Sequence, residues 1–135
     1  MIPIKSERDL RVMRKSCEIA ATVLDKISKL AVAGVSTWDL NEAAKRLMDQ
    51  YHCRSASYKY KCGSLKYPCH VCISVNDQVI HGIASKDVIL KDSDIVSIDC
   101  ATIYQGFVGD NTRTVYIGEP TPEVRKLVEA TAESL

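Results

Sequence analysis

Asp99 and Asp110 constrain this chain more than any other feature. Each stands in an apolar, β-branched run, Asp94-Ile-Val-Ser-Ile-Asp99 and Phe107-Val-Gly-Asp110-Asn-Thr-Arg-Thr-Val-Tyr-Ile-Gly118, with Tyr104-Gln105-Gly106 between them. Such runs predict two strands. Gly106 can take positive φ and so predicts a tight turn joining them. The two carboxylates then lie at or near opposite positions across the hairpin. The register is open at this level: a slip of one residue puts them on opposite faces, and a bulge near Gly106 would bring them back. On one face their Cβ atoms come within about 4.5–8 Å of each other. Carboxylates that close repel unless a cation lies between them or one keeps its proton. A divalent cation with oxygen ligands is the natural filler. The alternative on spacing alone is one buried, hydrogen-bonded Asp and one Asp facing solvent near a turn.

Around this hairpin the periodicities predict an α+β domain. Ser6 with Asp9 has the form of a capping box. Leu10, Met13, Cys17, Ala20, Leu24 and Ile27 then recur at helical spacing up to Leu30. Ser36 or Thr37 caps a second helix running to Tyr51, with Leu40, Ala43, Ala44 and Leu47 on its apolar face. Val71–Val75 is a short strand, Asn76-Asp77 a turn, and Val79-Ile80 a second short strand leading into His81. Residues 86–93 form a polar loop. Thr121 caps a last helix with Pro122 at its first position. Two helices followed by strands make an ααββ unit with an antiparallel sheet. Cys17 and Cys100 are expected to be small core residues.

The formal charge of +1 gives no electrostatic footprint for nucleic acid or an anionic membrane. No apolar run is long enough to span a bilayer, and the first residues lack the layout of a secretory signal. Reduced thiols in the cytoplasm are therefore the default for the six cysteines. Cys69-His-Val-Cys72, with Cys62 nearby, offers a structural-zinc half-site. No second CxxC follows at zinc-ribbon spacing.

The run Cys72-Ile-Ser-Val-Asn-Asp-Gln-Val-Ile-His81-Gly-Ile83, the Asp99 strand and Gly106-Phe-Val-Gly-Asp110 together resemble type I methionine aminopeptidases. The resemblance covers nearly the whole chain but only about half of the family's domain. It implies half of a pita-bread fold, a curved antiparallel sheet covered by helices. Residues 1–135 would form a single domain, the N-terminal part of the catalytic domain, with the second half absent. It also implies hydrolytic removal of N-terminal methionine from nascent polypeptides. Two divalent metal ions (Co, Mn, Fe or Zn) would be held by Asp99 and Asp110 and would generate a bridging hydroxide as nucleophile.

His81, otherwise an ordinary turn residue, is implied to contact substrate beside the scissile amide and to stabilise the tetrahedral species. Tyr67 and Cys72 are implied to line the pocket for the methionine side chain, whose thioether suits sulfur and aromatic surfaces. The sequence departs from the family at Ala84, where Pro is usual, and at Ala101, where Thr is common. A lysine at Lys61 or Lys66 suits an apolar pocket poorly unless it points outward. The family's remaining ligands, one His and two Glu, lie in the half not represented here. Such a half, taken alone, would expose an apolar face and a strand edge, and so is expected to be oligomeric or poorly soluble unless a complementing half covers it. The alternatives are a non-catalytic peptide-binding module of the same fold and another aminopeptidase of this fold.

Overall fold

The computed structural model describes Ile2 and residues 4–135, with Cys62 described without its side chain. Helix α1 (Glu7–Leu30) starts at Ser6, whose hydroxyl accepts from the Asp9 amide while the Asp9 carboxylate accepts from the Ser6 amide. Helix α2 (Thr37–Gln50) repeats the device with Ser36 and Asp39. Both are capping boxes with Asp in the Glu position, which satisfies amides the helix itself leaves free.

Six strands follow: β1 (Arg54–Ser55), β2 (Lys61–Cys62), β3 (Leu65–Lys66), β4 (Cys72–Val75), β5 (Ile95–Tyr104) and β6 (Phe107–Tyr116). Strand β5 is the spine of the main sheet. It pairs along its full length with β6, and its other edge carries β4 and then β1, all antiparallel. Strands β2 and β3 form a separate small hairpin. Helix α3 (Pro122–Glu133) has its predicted Thr121 cap and Pro122 start, and none of its residues is buried.

Alternation along β5 separates two environments. Val96, Ile98, Cys100 and Thr102 are buried against α1. The residues between them point to the opposite, open face. Burial pushes the Cys100 thiol up to about 12, as expected of a thiol used only for packing. The core joins these positions to Ile19, Val23 and Ile27 of α1 and Leu40, Ala44 and Met48 of α2.

Helix and sheet come closest at Gly109. A Cβ there would lie 2.4 Å from the Ser16 carbonyl oxygen and 2.7 Å from the Cys17 nitrogen. Ser16, fully buried, donates its hydroxyl to the Phe107 carbonyl at 2.8 Å. This contact also corrects the expectation for Cys17. The α1 stripe facing the sheet runs through Ser16, Ile19, Ala20, Val23, Leu24 and Ile27, so Cys17 is rotated off it and exposed.

A second correction concerns Val79-Ile80, which forms no strand and stands 86% and 68% exposed. The partner of β4 on that side is Gly82, whose carbonyl accepts from the Ile73 amide at 3.0 Å. The predicted polar loop is pinned to the start of α2. The Thr37 amide donates to Val88 O, that of Trp38 to Ser85 O, and the Ser85 amide to Thr37 Oγ1 at 2.9 Å. No helix among the described residues is long and apolar enough to cross a membrane.

Replacing Gly109 with Ala tests the helix–sheet contact. The added methyl meets backbone on both sides, so the variant is expected to lose about 1–3 kcal/mol. Urea denaturation followed by circular dichroism measures this, and an unchanged midpoint would contradict the contact.

Candidate metallopeptidase site

The geometry of the aspartate pair follows from the turn. Tyr104 pairs with Phe107, leaving a two-residue loop of Gln105 (φ 47°) and Gly106 (φ 87°). Two consecutive positive φ values are those of the type I′ turn that suits the right-handed twist of a hairpin. This loop fixes the register: Asp99 lies opposite Thr112, and Ala101 opposite Asp110. The two aspartates are therefore diagonal neighbours on one face, and no bulge is needed. That face is the open one.

The carboxylates feel each other. Burial first, then the negative charge of Asp99 and a hydrogen bond with it, hold the Asp110 carboxyl above the usual carboxylate range. Thr112 Oγ1 donates to Asp99 Oδ1 at 3.2 Å and orients that side chain. Ala101 lies directly opposite Asp110 and presents only a methyl to the site. The hydroxyl that serves Asp99 thus comes from β6.

Cys72 on β4 is the register partner of Asp99 and shares its face. Tyr67 leans over it, its phenol donating to Gly82 O at 2.7 Å. Desolvation, followed by the interaction with Cys72, pushes the Tyr67 phenol well above its ordinary value. Desolvation likewise raises the Cys72 thiol. Both groups are therefore neutral near pH 7.

His81 completes the group. Its backbone is in the left-handed region (φ 56°), an uncommon conformation for a non-glycine residue. The next residue holds it there. A Cβ on Gly82 would sit 2.1 Å from the Ile73 carbonyl oxygen, so only glycine fits. The Gly82 amide donates to Ser74 Oγ at 3.0 Å. His81, Tyr67, Cys72, Asp99 and Asp110 all line one pocket of about 640 Å³, with Ile83 and Val108 supplying apolar wall.

Sequence reading overlooked Ser74 and Thr112, which hold His81 and Asp99 in place. Each lies at a two-residue step from a named site residue (Cys72, Asp110), and that spacing was the available signal.

The zinc alternative gains nothing from this arrangement. Among the described residues no three His, Cys, Asp or Glu side chains converge as a metal cluster. Cys69 is buried with its sulfur 3.9 Å from Ala84 O, and the Cys62 side chain lies outside the described residues. The aspartate pair does suit a cation. Two carboxylates on one face, one held above its usual range by burial and then by the charge of the other, form an arrangement that a divalent ion would relieve.

Tyr67→Phe removes the phenol that anchors Gly82 and leaves that carbonyl with one partner fewer. A loss of about 1 kcal/mol is expected. Amide exchange at His81 and Gly82 should quicken more than in the core of β5, and uniform exchange rates would argue against a local anchor.

A family model for metallopeptidase family M24 matches residues 11–135. A methionine aminopeptidase of Aquifex aeolicus is 40% identical over 136 aligned positions, covering 99% of this chain and 53% of that protein. The crystal structure of methionine aminopeptidase from Rickettsia prowazekii superposes with a TM-score of 0.93 at 33% identity, covering 99% of this chain and 52% of the other. A prolidase from Pyrococcus furiosus, 22% identical with a TM-score of 0.79 over 97% of this chain and 36% of its own, shares the fold. The pita-bread expectation and the resemblance to methionine aminopeptidases both hold, and the chain spans about half the length of the relatives it matches. From Arg11 to its last residue, with the aspartate hairpin near the end of that span, the chain belongs to metallopeptidase family M24.

Proposed function

We propose that this chain carries one wall of an aminopeptidase site that removes N-terminal methionine from nascent polypeptides in the cytoplasm. The observation that supports this reading is the gathering of His81, Tyr67, Cys72, Asp99 and Asp110 around one pocket. Asp99 and Asp110 would hold divalent metal, two ions on this reading, with Co, Mn, Fe and Zn all compatible with oxygen donors. When bound, the metal supplies Lewis acidity and lowers the pKa of water, so that a nucleophile is available near neutral pH. Two carboxylates leave most coordination positions of such ions open, so the remaining donors come from outside this pair.

The rest is done by this chain's own groups. His81, fixed by the Gly82 contacts, points an imidazole into the pocket, where it can donate a hydrogen bond to charge developing on the scissile amide. Tyr67 and Cys72 stay neutral and present polarizable surface to a thioether. Ile83 and Val108 favour an apolar first side chain over a charged one. Thr112 keeps the Asp99 carboxylate turned inward.

Two measurements test the reading on the full polypeptide that contains these residues. Release of free methionine from a Met-Ala-Ser peptide is expected with added Mn or Co and should be abolished in Asp110→Asn. Metal should also raise the melting temperature of the parent and not of Asp110→Asn. Metal at about ten times its Kd adds about 1.4 kcal/mol of stability. Metal stabilisation without methionine release would favour the peptide-binding module or another specificity on the same fold.

A further inference from the structure

The segment between β1 and β4 leaves the sheet and rejoins it beside the aspartates. The Ala56 amide donates to Ala101 O at 2.9 Å, and the chain returns to the same edge of β5 where Cys72 pairs with Asp99. The β2–β3 hairpin carried by this excursion walls the aspartate pocket: Tyr60, Leu65, Lys66 and Tyr67 all line it. Its base is tied by the Tyr67 amide, which donates to Tyr60 O at 2.9 Å, and the Lys59 amide, which donates to Tyr67 O at 2.8 Å.

The hairpin brings one cation to the pocket. Lys66 lines it, and Lys61, directly opposite across the strand pair, does not. Both lysines are exposed, and neither forms an ion pair among the described residues. Like charges facing each other across a strand pair are destabilising, so an anion beside them is favoured. The excursion supplies none: of 17 acidic residues in the chain, none lies between Asp49 and Asp77. Asp99 and Asp110 share the pocket with Lys66 without pairing to it, and on the reading above they serve metal. A solvated lysine needs no partner, but this one stands in the wall that a bound peptide meets.

Strand geometry says which substrate residue reaches it. In an extended peptide the first and third side chains point to the same side, about 7 Å apart. With the methionine side chain against Tyr67 and Cys72, the third side chain turns toward the same wall, where Lys66 immediately precedes Tyr67. We propose that Lys66 recognises a carboxylate on the third residue of the substrate, so that the site prefers polypeptides with Glu or Asp two residues after the initial methionine. The inference rests on the methionine-release reading and names a substrate class for it. Lys66 is a specificity residue and takes no part in bond cleavage.

The test compares methionine release by the full polypeptide, with Mn, from Met-Ala-Glu-Ser, Met-Ala-Gln-Ser and Met-Ala-Lys-Ser, all as C-terminal amides. Glu and Gln share one shape, so their ratio reads charge alone. kcat/KM is expected to be about threefold to fivefold higher for the Glu peptide than for the Gln peptide, the effect of one partly screened ion pair, and lower again for the Lys peptide. The ratio should fall toward one in 1 M salt, where the Debye length is about 3 Å. Lys66→Met should erase it and Lys66→Arg should retain it. Lys61→Met, which removes an equal charge outside the pocket lining, should keep most of it. Dissociation constants of ketomethylene analogues of the three peptides, which have no bond to cleave, supply the same ratio independently of turnover. Equal values for Glu and Gln, a preference that survives Lys66→Met, or one that falls equally in Lys61→Met overturns the proposal. Absence of methionine release from every peptide defeats the reading of the activity, and the analogue affinities then decide on their own whether Lys66 selects a carboxylate.

Discussion

The contact of the α1 backbone with Gly109 is the constraint on which the rest of the structure depends. It sets how closely the long helix lies on β6, and so where the adjacent Asp110 stands. Ser16 ties the same helix turn to Phe107, the first residue after the turn. Among the described residues no helix packs on the far side of the β5–β6 strands. The same two strands therefore serve two purposes. On β5, Val96, Ile98, Cys100 and Thr102 are packed core while Asp99 and Ala101 between them line the pocket, an alternation that follows from the pleat alone.

Much of this was legible in the sequence. The Ser6–Asp9 capping box, a cap at Ser36 or Thr37, the long hairpin and the Thr121–Pro122 helix start were readable because each rests on short-range chemistry within a few residues. The relation of Asp99 to Asp110 was nearly so. Gln105-Gly106 as a two-residue loop gives the diagonal arrangement by counting outward from the turn, whereas allowing any loop length left the face undecided. What could not be read was tertiary. Nothing local to Val79-Ile80 shows that Gly82 takes the place beside β4. Nothing local to Cys17 shows that the helix turns Ser16 inward. Those outcomes depend on backbone-to-backbone approaches between segments far apart in the chain.

The site is also defined by what its neighbours do not do. Tyr67 and Cys72 are reactive residue types kept neutral by burial, and so they shape the pocket without competing for its chemistry. On the open face the charged side chains of the β5–β6 hairpin are the two aspartates, and Lys66 of the small hairpin lines the same pocket. Overall charge, being nearly zero, gave no hint of this division.

The two-residue turn has a consequence for how such a chain can diverge. Side chains in a strand alternate between faces, so a change of one residue in the Gln105-Gly106 loop that shifted the pairing, with no bulge to absorb it, would move Asp110 from the open face to the side occupied by α1. A carboxylate there would meet helix backbone at the tightest point in the fold. Lengthening by two would keep the face but shift Asp110 along the strand relative to Asp99. The tip of this hairpin, exposed and polar as it is, should therefore resist insertions and deletions far more than most surface loops.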